Sequence, residues 1–103
     1  MNRLEQLRQF IHDDPNDPFN YYALALEYAK SDVETAITQF EVLMQKYPDY
    51  LPTYYQAGNL FEATGNREQA VDVLKKGIAL AKQQQQYKTL RELQSVLDEL
   101  LYD

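Results

Sequence analysis

The chain repeats itself: Tyr21, Leu24, Ala25 and Tyr28 return as Tyr54, Ala57, Gly58 and Phe61, each 33 positions further on. The same offset carries Leu4, Leu7, Phe10, Ile11 and Pro15 onto Ile37, Phe40, Leu43, Met44 and Pro48. Apolar residues spaced at three and four within each unit are helical, and a period near 33 is that of a helical solenoid. In such an array each unit buries its apolar face only against its neighbours, and the product is a surface and not an enclosed catalytic pocket.

Composition agrees with an all-helical chain. Of 103 residues only 3 are glycine and 4 proline, and no segment reads as a strand. There is no cysteine, so disulfides and thiolate metal sites are excluded, which suits a reducing cytoplasm as well as any other compartment; the expected location is cytoplasmic. The first residues interleave charge with apolar side chains and lack the continuous apolar run of a signal peptide, and no run approaches the length of a membrane span. A formal net charge of -6 at pH 7 argues against a nucleic-acid backbone as partner. The local basic excess of Arg67, Lys75, Lys76 and Lys82 is diluted by Glu68 and Asp72 and reads as a solvated helix face.

Six periodic segments are expected. The first spans about residues 2–12 and ends at the Asp13 to Pro18 break. Asp17 is placed as an N-cap with Pro18 as the first residue of a helix over 18–30. Ser31 with Glu34 reads as a capping box opening a helix that runs to Lys46, with Ile37, Phe40, Leu43 and Met44 inward. Pro52 begins a fourth helix ending near Thr64, where Gly65 supplies a left-handed terminus and Asn66 caps the next. In that fifth helix, to about Lys82, Val71, Leu74, Gly77, Ile78 and Ala81 face inward. Ala36, Phe40, Leu43 and Met44 recur there at 34 rather than 33 residues, so the first unit's inter-helix turn is one residue shorter. The stripe resumes at Tyr87, Leu90, Leu93, Leu97, Leu100 and Leu101 with its phase shifted, which places a turn near 83–87; the alternative is one long bent helix.

Tyr54, Ala57, Gly58, Phe61, Gly65, Ala70, Leu74 and Gly77 resemble the tetratricopeptide repeat pattern, as do Tyr21, Leu24, Ala25, Tyr28, Ala36, Phe40, Leu43 and Pro48. The fold class this implies is an all-α, right-handed solenoid of antiparallel helix pairs with about six helices. One domain over 1–103 is expected, with an N-terminal helix (1–14), a first repeat (18–48), a second repeat (51–82) and a C-terminal capping helix (86–102). Arg91 replaces the small residue of the pattern in that last helix, as in a terminal unit with a polar outer face, so both ends read as complete.

Chemistry has few candidates. His12 with Asp13, Asp14 and Asp17 could at most form a carboxylate-rich metal site, but a histidine near a helix C-terminus and aspartates beside proline are ordinary dipole and turn features. Ser31 and Ser95 lack a paired base, and Asp98 and Glu99 point apart on a helix, so no catalytic residue, metal or cofactor is assigned. The resemblance implies a concave surface lined by the first helix of each repeat, which by position holds Tyr22 and Leu26, Tyr55, Asn59 and Glu62, and Lys88, Glu92 and Ser95. Tyr22, Leu26, Tyr55 and Asn59 form the expected ligand groove, with Glu62, Lys88 and Glu92 at its edge. Tyr22 and Leu26 also replace the lysine and asparagine of the family's carboxylate clamp, which argues against that mode of binding. The function implied is a non-enzymatic module binding a peptide or partner protein. The alternative is a self-associating unit forming a homodimer through the groove or the C-terminal helix.

Overall fold

The computed structural model describes residues 2–102 and contains six helices, with no strand among the described residues: α1 (Arg3–Asp13), α2 (Pro18–Ala29), α3 (Val33–Lys46), α4 (Pro52–Ala63), α5 (Arg67–Gln83) and α6 (Tyr87–Tyr102). The helices gather into two compact units, one ending at Tyr50 and the other beginning at Leu51.

In the first unit α2 packs against both α1 and α3. The Asn2 side chain caps α1 by accepting from the Glu5 amide at 2.9 Å. Asp17 caps α2 through the Phe19 amide, with Pro18 as the first helical residue, where a missing amide hydrogen leaves no donor unpaired. The cap of α3 differs from the Ser31–Glu34 box expected from the sequence. The helix starts at Val33, and Asp32 accepts from both the Thr35 amide and the Thr35 hydroxyl. The Ser31 amide instead donates to the Tyr28 carbonyl, which closes the turn leaving α2 and places Ser31 one residue too early to cap. These two hydrogen bonds, that from the hydroxyl being the stronger influence, hold the Asp32 carboxyl below its usual value. The core comprises Leu7, Leu24, Ala25, Ala36, Phe40 and Leu43, while Ile37 and Met44 are only half-buried.

In the second unit α5 packs against α4 and α6, and α4 also touches α6. Gly58 lies opposite Leu74 and Tyr54 opposite Gly77, the crossed order of antiparallel helices. A Cβ at Gly58 would sit 2.6 Å from Leu74 Cδ2 and 2.8 Å from its Cγ. One at Gly77 would sit 2.6 Å from Tyr54 Cβ and 3.1 Å from Leu93 Cδ1, so the absent side chain is what lets α4 and α6 both close on α5. The face of α5 that is buried is wider than the expected stripe: Ala70, Val73, Leu74, Gly77, Ile78, Leu80 and Ala81 are inside, and Val71 is half-buried. A helix covered on two sides needs such a broad apolar face. Arg67, in the first turn of α5, donates to the Leu100 carbonyl in the last turn of α6, which satisfies a backbone acceptor that has no partner within its own helix.

The turns within the two units are equally long, three residues each (30–32 and 64–66), so the one-residue change in period is not a shorter turn as expected; it arises because α4 runs two residues past Phe61 and α2 only one past Tyr28. Between α4 and α5, Gly65 takes φ 80; its amide donates to the Glu62 carbonyl and that of Asn66 to the Phe61 carbonyl, the paired bonds of a left-handed helix terminus. Asn66 occupies the N-cap position of α5 without a capping bond from its side chain, which donates to the Thr64 hydroxyl instead. The turn of the first unit, equal in length, reaches Val33 without any left-handed residue. The segment between α5 and α6 is a turn and not a bend in a continuous helix. Gln85 adopts φ 58 and donates to the Lys82 carbonyl, and Gln86 donates to the Ala81 carbonyl, so a glutamine does here what Gly65 does one turn earlier.

Candidate protein-binding surface

Tyr55 and Asn59 lie one turn apart on α4, and Lys88, Glu92 and Ser95 follow one face of α6. Because α4 and α6 both pack on α5 and also touch each other, these two rows face each other across a shallow cleft of about 480 Å³. Arg91, Val96 and Glu99 complete its lining. Tyr55 and Asn59 are half-buried, whereas Lys88, Arg91, Glu92, Ser95 and Glu99 are exposed. The result is a small apolar and amide floor under a rim carrying two cations and two carboxylates.

Four of the expected groove residues, Tyr55, Asn59, Lys88 and Glu92, thus line one cleft. Glu62 is exposed on α4 but does not line it. Tyr22 and Leu26 are half-buried residues of the first unit. There Tyr22 meets Tyr50 at 5.7 Å between ring centroids and Phe40 at 6.5 Å, both edge-on, the arrangement favoured by aromatic quadrupoles. Tyr22 is therefore part of the packing of its unit, and removing it would cost stability. Burial, reinforced by Tyr22 and then Asp17, pushes the Tyr50 phenol above its usual value. Tyr21 stacks on Tyr47 at 6.0 Å, and both hydroxyls donate to the Pro15 carbonyl, tying the α1–α2 turn to the end of α3. Arg91, Val96 and Glu99 were not among the groove residues expected from the sequence. Their signal is the spacing of 88, 92, 95 or 96 and 99 along α6, legible only once α4 is known to lie beside that face.

His12 is exposed and lies 3.5 Å from the Asp13 carboxylate, as a histidine completing a helix C-terminus would. Among the described residues no group of three His, Asp or Glu side chains is placed to hold a metal, and no helix is long and apolar enough to cross a membrane.

Helical hairpins joined by three-residue turns, with glycine at the close approaches of α4, α5 and α6 and a cleft between α4 and α6, define an all-α helical-repeat protein. The chain belongs to the tetratricopeptide repeat family, whose sequence profile matches residues 27–93. A tetratricopeptide repeat domain protein from Salinibacter ruber, solved by NMR in solution, is 39% identical with a TM-score of 0.81, over 85% of this chain and 90% of that one. A crystal structure of a tetratricopeptide repeat domain protein from the same organism gives 38% and 0.78, over 82% and 96%. A protein from Bordetella parapertussis, 20% identical with a TM-score of 0.82 over 97% of this chain and 88% of that one, shares the fold. No curated protein matches the chain. Members of this family are generally protein–protein interaction modules and typically not enzymes.

Proposed function

We propose that the chain is a non-enzymatic binding module that holds an extended segment of a partner protein, with Tyr55, Asn59, Lys88 and Glu92 as its principal contacts and without a cofactor. The observation that carries this reading is the cleft between α4 and α6, which brings these four residues together. Tyr55 supplies rigid amphipathic contact area, and the Asn59 amide suits a ligand backbone. The alternating rim charges act on specificity more than on affinity. On this reading Glu62 extends the contact along α4, and the protein serves in the cytoplasm.

The test is a partner captured from the source cell and then purified for titration by calorimetry. Tyr55→Ala with Asn59→Ala should weaken its binding by roughly 2 kcal/mol or more while the circular dichroism spectrum is unchanged. Unchanged affinity with helicity retained would remove the cleft from the interface. Tyr22→Ala is the poorer probe, because its ring also packs on Phe40 and Tyr50.

A further inference from the structure

The face of α6 turned away from α5 carries Tyr87, Arg91, Gln94, Ser95, Asp98 and Tyr102, all exposed and all within about 100° of one another around the helix. Tyr87 and Tyr102 are 54% and 80% exposed, more than an aromatic ring at the edge of a core requires. From Arg91 to Tyr102 this face forms a shallow groove of about 530 Å³. Its charge is divided along the axis, with Arg91 towards one end and Asp98, flanked by Glu99, towards the other, and Gln94 donates to Asp98 at 2.9 Å, holding that carboxylate on this side.

The order of charges along this face is self-complementary from end to end. A two-fold axis passing between Gln94 and Ser95 sets Arg91 of one antiparallel helix against Asp98 of the other, twice over. The same axis sets Tyr87 towards Tyr102 at each end, and at the centre Gln94 and Ser95, on opposite flanks of the face, each meet their own copy. Self-complementarity of this kind is what a two-fold interface demands of a single surface patch. We propose that two copies of this chain associate through antiparallel contact of their α6 outer faces in this register. The proposal goes beyond the cleft reading and does not depend on it: Arg91 and Ser95 border both the cleft and this face, whereas Gln94, Asp98, Tyr87 and Tyr102 belong to this face alone, so Asp98→Arg is the substitution that leaves the cleft lining intact. One face of a four-turn helix buries less than the roughly 1,000 Å² of a stable complex, so the dimer is weak, reversible and sensitive to salt.

Sedimentation equilibrium on the whole chain, from about 10 µM to about 1 mM at low ionic strength, tests it. The wild-type chain should pass from monomer to dimer, and Arg91→Asp or Asp98→Arg alone should weaken association by roughly tenfold or more, since each puts like charges in contact twice. An equimolar mixture of the two variants should recover dimer, and so should the double variant, because both restore opposite charges across the axis. A chain that stays monomeric throughout the range overturns the proposal. So does a dimer indifferent to both substitutions, or single-variant losses that neither the mixture nor the double variant repairs. Circular dichroism accompanies each variant, and if a single variant loses helicity the double variant against wild type decides.

Discussion

At the scale of single residues the fold depends most on positions that lack a side chain. Gly77→Ala should lower stability by roughly 1 to 3 kcal/mol in urea melts even though alanine is the better helix former by about 1 kcal/mol, because the added methyl meets Tyr54 Cβ, an atom fixed to the α4 backbone. Gly58→Ala should cost less, since it meets the side chain of Leu74, which can rotate; Gly58→Leu should again cost roughly 1 to 3 kcal/mol. An unchanged midpoint for Gly77→Ala would contradict the packing of α4 on α5. Both glycines were legible as small positions in the repeat. Asp32 was not, because Ser31 and Asp32 are adjacent and each is a good cap; which one serves is decided by the tightness of the turn leaving α2. Asp32→Ala should therefore lower the melting temperature, and Ser31→Ala should not. The Asp32 carboxyl is held below its ordinary value of 3.8, so its contribution is present above that pH and is lost as the pH falls through the depressed folded value. Acid titration of the Asp32→Ala difference should show it vanish in that direction.

At the scale of elements the turns decide where helices end, and they were unequally readable. Gly65 announces its left-handed conformation, whereas Gln85 adopts the same region with nothing in its side chain to announce it; only the phase shift of the apolar stripe between Ala81 and Leu90 required a break. Gln85→Gly should then raise stability by roughly 0.5 to 1 kcal/mol, by relieving the crowding of a β-carbon at positive φ, and Gly65→Ala should lower it by a similar amount. A destabilised Gln85→Gly would mean that the glutamine side chain itself holds the α5–α6 turn. Tyr87 illustrates the limit of periodicity: read with the stripe of Leu90 and Leu97, it lies on the flank of that stripe next to the outer face of α6, at the start of the helix, and is exposed. Helical phase reports direction, but only the neighbouring element decides whether that direction is covered.

At the scale of the whole molecule the helical-repeat architecture was legible because each packing residue recurs in sequence at a fixed interval. The cleft was less so, since the side of α6 that α4 reaches depends on turn geometry. We propose that the chain unfolds as one domain. Each unit contains about fifty residues, a size at which a core without disulfides or metals is marginal alone, and the first buries only Leu7, Leu24, Ala25, Ala36, Phe40 and Leu43. Urea transitions followed by circular dichroism and by tyrosine resonances from each unit should coincide. Separate midpoints would make the units independent. Within the second unit, Gly77 touches Tyr54 on one side and Leu93 on the other, so neither flanking helix can lift away without uncovering the same α-carbon. In amide hydrogen exchange, α4, α5 and α6 should accordingly lose their protection at one common rate, whereas α1, which buries Leu7 alone, should exchange first.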